Sequence, residues 1–356
     1  MAREPYKPIV WWLLCGCLLI FFMVVIGGIT RLTNSGLSMT DWKLVTGAFP
    51  PVTETQWLNE FEKYQQSPEF QKINYHFSLQ EFKSIFWWEY IHRLVGRVLG
   101  LVFIIPFAVF WWRKKVSKRL APKLFLIFVL GAFQGFLGWY MVKSGLVDKP
   151  HVSHFRLAAH LLLAFITCAV VLWTALDEWY EGRKVSVRIS SAQSAGLKFF
   201  AALLLVQIVY GAFVAGLRAG YVYNSFPKMG GKWIADAVFS IDPLWKNWIE
   251  GIAGVQFVHR YLAYLLMAVG IALFVSLWKR LQGPARRGVM LWGASLLVQF
   301  LLGVFTLVYK VPIVLGVAHQ VVAFLLLMNS VFLMHRFWKP VRATKRVRIE
   351  ASKADF

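Results

Sequence analysis

Eight long apolar runs divide the chain, and each is close to the ~20 residues with which a helix crosses the hydrocarbon core of a bilayer. The segments between them are polar, charged or rich in Gly and Pro. This pattern predicts an all-α, polytopic membrane protein with eight transmembrane helices. The predicted spans are residues 9–29, 90–112, 121–142, 155–176, 196–217, 254–278, 288–309 and 315–335.

The last four spans repeat features of the first four. EYIHRLVGRVLGLV at 89–102 matches QFVHRYLAYLLMAV at 256–269, and RLAAHLLLAF at 156–165 matches LGVAHQVVAF at 315–324. The repetition predicts two pseudo-symmetric four-helix bundles with the same orientation in the membrane. The expected division is an N-terminal half at 1–176 with an outer loop at about 31–88, a basic linker at 177–195, a C-terminal half at 196–337 and a basic tail at 338–356.

The distribution of charge predicts the orientation of the chain across the membrane. The 356 residues are 58% hydrophobic and only 16% charged, with a formal net charge of +22. Basic residues concentrate after the even-numbered spans, as in RKKVSKR at 113–119, so the positive-inside rule places both termini in the cytoplasm. The same rule accounts for the positive charge. We find no basic surface interleaved with aromatic residues, so no nucleic-acid partner is expected.

Four of the eight histidines lie near the outer end of an even-numbered span, and His92 corresponds to His259 as His160 corresponds to His319. The two helices of each pair run in the same direction, so each half can offer two facing imidazoles at one depth. Bis-histidine ligation of haem needs this arrangement, whereas zinc would need further ligands that do not repeat. A single histidine of this kind is more often a hydrogen-bonded packing residue. We expect His335, near the cytoplasmic end, to lack a partner.

The halves differ three residues before the first histidine of each pair, where Glu89 corresponds to Gln256. One helical turn places the carboxylate beside the edge of a haem ligated by His92. There it can act as a base or stabilise positive charge that develops at a ring substituent. The alternative is an interfacial glutamate paired with Arg93 or water. Arg93 and Arg260 are candidates for contacts with haem propionates, and snorkelling to the interface is the alternative.

Together these residues resemble the haem A synthase family. The resemblance covers residues 27 to about 325, and the long first outer loop is similar to that of the proteobacterial and mitochondrial branch. It implies an oxidoreductase that uses oxygen to convert the C8 methyl of haem O to the formyl group of haem A. The motifs that carry the resemblance are GGITRLTNSGLSMTDW, EYIHRLVGR, RLAAHLLLAF, NSFPKMGGKW, VQFVHRYLAY and AHQVVAF.

The resemblance also implies roles for single residues. Glu89 occupies the place of the family's essential carboxylate. His92 and His160 match the ligands of the substrate haem, and His259 and His319 match the ligands of a haem b in the second half.

The expected setting is the inner membrane of a bacterium, with the haem sites toward the periplasm. Expected partners are haem O synthase (the farnesyltransferase that makes the substrate), an electron donor such as a ferredoxin-like protein, assembly factors of cytochrome c oxidase, membrane lipid and, as an option, further copies of this chain.

Two other functions remain as alternatives. A dihaem b-type membrane cytochrome for electron transfer would place haems near both membrane faces, but all four candidate ligands lie near one face. A haem transporter or chaperone would explain the haem pockets. It would not explain why the first half has Glu89 where the second half has Gln256.

Overall fold

A computed structural model describes residues 6–41, 46–145, 151–181 and 189–338 of the protein. Over these ranges the chain forms nine α-helices and no β-strand. Eight of the helices are long and apolar enough to cross a membrane, which confirms the all-α, polytopic prediction. The helices are α1 (Lys7–Leu32), α2 (Glu54–Gln65), α3 (Leu79–Trp112), α4 (Ala121–Gly145), α5 (His154–Trp179), α6 (Ser191–Gly216), α7 (Ile252–Trp278), α8 (Gly283–Val308) and α9 (Ile313–Trp338). Most of the expected basic tail, and the centre of the expected linker, lie outside the described residues.

The same order of helix packing occurs in both halves. α1, α3, α4 and α5 pack in a ring, each against the next and α5 against α1, and α6, α7, α8 and α9 form an equivalent ring. Between the halves α1 packs on α9, α5 packs on α6, and α5 packs on α9. The first two contacts exchange under a two-fold rotation and the third maps onto itself. This pattern supports the predicted pseudo-symmetry.

Helix α3 begins eleven residues before the expected start of the second span. Ser78 and Glu81 form a capping box, in which the Glu81 carboxylate accepts from the Ser78 backbone N–H at 2.7 Å, and this arrangement starts a helix efficiently. The helix has 34 residues, or about 51 Å of length, against a hydrocarbon core of about 30 Å. Its first turns therefore project beyond the membrane.

The projecting end of α3 supports the outer segment, residues 46–78. Helix α2 packs two buried aromatic side chains on it, with ring centroids 5.0 Å apart for Trp57 and Phe86 and 5.1 Å apart for Tyr64 and Phe82. Aromatic pairs at such distances contribute about 0.5–1.5 kcal/mol each beyond the area that they bury. The outer segment is thus fixed over one half.

The main hydrophobic core lies at the end of the bundle that carries the N-termini of α1, α4, α6 and α8. Phe200 and Trp292, both fully buried, pack edge to face there with centroids 4.7 Å apart. At the same end Asp177 of α5 accepts from Lys123 at 2.5 Å and from His335 Nε2 at 3.1 Å. The expectation that His335 lacks a partner is wrong, because its partner lies 158 positions away in the other half.

Candidate active site

A large cavity opens between the two halves, away from this core. Its volume is about 2150 Å³, and residues of both halves line it, including the four candidate histidines. Pockets for one small ligand usually measure about 300–1000 Å³. The cavity is therefore large enough for more than one ligand, and the two histidine pairs share it.

Each of the four imidazoles packs closely against a glycine of a neighbouring helix. A Cβ atom placed at each glycine would meet the ring carbon Cε1, and the nearer ring nitrogen in every case is Nδ1. The edge of each ring that carries Cε1 and Nδ1 is therefore turned toward the neighbouring helix. The distances from this Cβ position to Cε1 are 3.1 Å for Gly27 and His92, 3.2 Å for Gly138 and His160, 3.3 Å for Gly211 and His259, and 2.9 Å for Gly303 and His319.

The second-half pair has the spacing of two axial ligands. The ring centroids of His259 and His319 are 6.4 Å apart, with their planes at 78°. Two imidazoles on opposite sides of one metal ion have centroids about 6 Å apart, since each metal–nitrogen bond is about 2 Å long and is followed by the radius of the ring. No group of three or more His, Cys, Asp or Glu that could hold a metal ion occurs among the described residues. The arrangement fits a bis-histidine haem better than a closed zinc site.

Glu89 is buried at the wall of this cavity and is held by donors alone. Its Oε2 accepts from the Ser38 hydroxyl at 2.7 Å and from the Met39 backbone N–H at 2.8 Å. Its Oε1 accepts from the Arg93 guanidinium at 2.5 Å, and the residue is only 3% exposed. Charge-assisted hydrogen bonds of this kind stabilise a carboxylate in its anionic form. Both oxygens of Glu89 therefore suit a fixed negative charge.

Gln256 has the same place in the second half but the opposite hydrogen-bonding pattern. Its Nε2 donates to the carbonyls of Ala219, at 2.8 Å, and Val222, at 2.5 Å. Its Oε1 accepts from Arg260 at 3.4 Å. Both Glu89 and Gln256 therefore tie a helix to the loop after the first helix of their half. The first loop offers donors and the second offers acceptors, so the two loops select a carboxylate and a carboxamide respectively.

The two candidate arginines line the cavity and also bind these loops. Arg93 donates to the carbonyls of Met39 and Asp41, both at 2.9 Å. Arg260 donates to the carbonyl of Ser225 at 2.8 Å, and its Nε is buried without a hydrogen-bond partner. The predicted contacts of Arg93 and Arg260 with haem propionates stay predictions, and the loop contacts are a role that the sequence did not indicate.

A second buried carboxylate at the cavity, Glu69, was missed by the sequence analysis. It is 5% exposed, and its Oε2 accepts from the Tyr64 hydroxyl at 3.2 Å. Burial raises the pKa of Glu69 to about 7; the charge of Glu89 acts in the same direction, and Tyr64 and Arg218 oppose it. Glu69 lies in the polar stretch QQSPEFQK, which is typical of exposed surface. No local signal could have identified it.

The raised pKa of Glu69 predicts that the outer segment loosens as pH rises. A carboxyl group of this kind contributes its stabilisation fully below the unfolded value of 4.5 and loses it as pH rises through about 7. The contribution is on the order of 3 kcal/mol. Limited proteolysis of the full-length protein should cut the segment around residues 46–78 faster at pH 8 than at pH 6.

The Glu69→Gln variant should abolish this difference, because the amide does not titrate. Glu62→Gln, at an exposed position of α2, is the matched control and should keep the wild-type dependence on pH at each protease concentration. Equal pH dependence in Glu69→Gln and wild type would contradict the assignment.

Comparison with known proteins agrees with this geometry. The sequence model of a family described as "Cytochrome oxidase assembly protein" matches residues 10–331. The heme A synthase of Flavobacterium johnsoniae is 49% identical over 342 residues, which cover 95% of this chain and 100% of that protein. The chain belongs to the haem A synthase family. Other members of the haem A synthase family are similar to it along both halves.

The heme A synthase of Nitrosospira multiformis is 47% identical and covers 92% of this chain and 93% of its own length. The heme A synthase of Wolbachia pipientis is 43% identical, with 92% of each chain covered. Since the family match runs from residue 10 to residue 331, it includes all four histidines and Glu89.

Proposed function

We propose that the protein is a haem A synthase, an oxidoreductase that converts the C8 methyl of haem O to a formyl group in an oxygen-dependent reaction. The product, haem A, serves the assembly of cytochrome c oxidase. Family membership supports this proposal. The observation that carries it is one cavity shared by two histidine pairs, with a buried carboxylate beside only the first pair.

In the N-terminal half, His92 and His160 bind the iron of the substrate haem through Nε2. Their contacts with Gly27 and Gly138 keep both rings in place. Glu89 lies one helical turn from His92, at the edge of the substrate. Its three partners all donate to it, and hydrogen bonds of this kind stabilise a negative charge at this place. We therefore favour stabilisation of positive charge at the reacting substituent over proton abstraction by Glu89.

In the C-terminal half, His259 and His319 bind a haem b. When bound, this group supplies one-electron redox chemistry next to the substrate. The protein's part is to hold it: the imidazoles have the spacing of axial ligands, and Gln256 adds no charge beside it. Arg93 and Arg260 contact haem propionates in addition to the loop carbonyls. The proposed domains are the two halves at 1–176 and 196–337, joined by the linker at 177–195.

The proposed location is the inner membrane of a bacterium, with both termini in the cytoplasm and the cavity toward the periplasm. Haem O arrives from the farnesyltransferase that makes it, electrons arrive from a donor such as a ferredoxin-like protein, and assembly factors of cytochrome c oxidase receive the product. Lipid surrounds the eight apolar helices, and copies of this chain can associate within the membrane.

The competing electron-transfer function is disfavoured by the position of the histidines. All four line one cavity, whereas the opposite end of the bundle is filled by the packed core. Transfer of electrons across the membrane would require a haem near that end. A haem transporter or chaperone has no use for a carboxylate held by three donors in only one of two equivalent pockets.

Pigment analysis of histidine variants tests the proposal. The purified protein should contain haem B together with haem O or haem A, identified by mass after extraction. His160→Ala should lose haem O and haem A but keep haem B, because only the first-half pair is broken. His319→Ala should lose haem B. Loss of the same pigment in both variants, or haem B alone in a wild type that is supplied with haem O, would refute the assignment.

A further inference from the structure

A side chain also stands one helical turn before each of these glycines. These side chains lie on the helices that pack against the histidine-bearing helices. Three of the four side chains are carboxamides and one is a thioether. The pairs are Met23 with Gly27, Gln134 with Gly138, Gln207 with Gly211 and Gln299 with Gly303.

Two of the carboxamides reach the imidazole ring. Gln299 Nε2 lies 3.1 Å from Nδ1 of His319 and 3.3 Å from its Nε2. Gln134 Nε2 lies 3.2 Å from Nδ1 of His160 and 3.4 Å from its Nε2. The contacts with the ring are almost the same in the two halves, and Gln134 Nε2 also donates to the backbone carbonyl of His160 at 3.1 Å, a bond that a half-turn of this carboxamide would replace. This repetition indicates a function that both haem sites share.

The other two imidazoles lack such a contact at Nδ1. Gln207 Nε2 donates to the backbone carbonyl of His259 at 3.0 Å, and Nδ1 of His259 is buried without a hydrogen-bond partner. Nδ1 of His92 is also buried without one. Gln207 Nε2 lies 3.5 Å from Nε2 of His259, so a carboxamide meets Nδ1 of the imidazoles on α5 and α9, whereas Nδ1 of the imidazoles on α3 and α7 has no partner.

Ligation of iron through Nε2 determines which end of the carboxamide must contact Nδ1 of the histidine. A histidine that binds a metal through Nε2 carries its proton on Nδ1 and donates it to an acceptor. The Oε1 atoms of Gln134 and Gln299 are buried and have no hydrogen-bond partner. The two ends of a carboxamide have nearly the same shape, so a half-turn places Oε1 where Nε2 lies. Nδ1–H of His160 or His319 then donates to it.

We propose that Gln134 and Gln299 are positioning residues, which accept the Nδ1–H of His160 and His319 and make these two histidines the firmer axial ligands of the two haems. His92 and His259, which lack that acceptor, are the weaker ligands. The proposal rests on the haem assignment of the proposed function. Under this proposal, each haem has one histidine ligand whose tautomer and ring plane are fixed by a hydrogen bond. The other histidine ligand is held by packing alone.

The second half offers the cleaner test, because its haem is not the substrate. In Gln299→Met, which carries the residue that stands at Met23, haem B should leave about 10–100 times faster. The rate is measured as transfer of haem from the full-length protein to apomyoglobin. The low-spin electron paramagnetic resonance signal should also change, because the His319 ring loses the hydrogen bond that orients it.

Gln299→Glu keeps an acceptor at the same place. It should restore slow release of haem B and lower the midpoint potential, since a carboxylate makes the imidazole a stronger donor to oxidised iron. A merely structural role of Gln299 would not predict this combination.

Gln193→Met is the matched control. Gln193 is also a buried glutamine that donates across helices, to the Ser276 carbonyl at 3.0 Å, but it lies far from the histidines. It should leave the release rate, the resonance signal and the potential unchanged. Wild-type release from Gln299→Met, or the same acceleration in Gln193→Met, would overturn the proposal. If His319→Ala itself retained haem B, the haem assignment would fail first.

Discussion

Glu89→Gln is expected to lower the conversion of haem O to haem A by about 100- to 1000-fold, the usual effect of removing one preorganised electrostatic group from a water-excluded site. The substitution keeps the shape of the side chain, removes its charge and places an amide donor where Glu89 meets donors from Ser38, Met39 and Arg93. The measurement is the haem A to haem O ratio in membranes that contain equal amounts of the variant and of wild type.

Two controls separate chemistry from folding in this experiment. Haem B content should stay at the wild-type level in Glu89→Gln, because the second half is untouched. Ser38→Ala removes one of the donors to Glu89 but leaves its charge, so it should reduce conversion much less, by about 10-fold or below. Conversion by Glu89→Gln within about threefold of wild type would remove the carboxylate from the reaction.

Gly303→Ala is expected to remove most of the haem B that we assign to the second half. The added Cβ would lie 2.9 Å from Cε1 of His319, so the proposed ligand ring must shift. Overpacking of this kind costs about 1–3 kcal/mol, which corresponds to a loss of haem affinity of about 5- to 150-fold. The haem B content of the purified variant, measured by mass and absorption, reports the effect.

Gly131→Ala is the matched control for that substitution. Gly131 lies in α4, and a Cβ there has no neighbour within 4 Å. Its haem content should equal that of wild type. Gly138→Ala should affect haem O and haem A in place of haem B, because its added Cβ meets His160. Normal pigment in both Gly303→Ala and Gly138→Ala would show that these glycines do not set the position of the rings.

The sequence predicted the spans well and drew attention to the four histidines that line the cavity, because both depend on local or repeated patterns. A run of about 20 apolar residues has few options other than a helix across the bilayer. The duplicated positions of His92 and His259 exposed a symmetry that the packing of the helices repeats. The same comparison showed that Glu89 in the first half corresponds to Gln256 in the second half, although the sequence does not reveal their hydrogen-bond partners.

The remaining features depend on contacts between segments that are distant in the chain. Glu69 is buried beside Tyr64 of α2, although its own neighbours in sequence are polar. The partner of His335 lies in the other half, at Asp177. The predicted second span begins eleven residues after the start of α3. The charged residues in the first turns of α3 indicate exposure to solvent, which is compatible with a helix and with a loop.

Hydrogen bonds join the two halves at both ends of the bundle. At one end Asp177 accepts from His335 Nε2, and at the other Arg31 donates to the Ala215 carbonyl and Arg218 donates to Asn34 Oδ1. The cavity is therefore bounded at each end by contacts that cross from one half to the other, so a flat ligand has to enter it between helices and not through a parting of the halves.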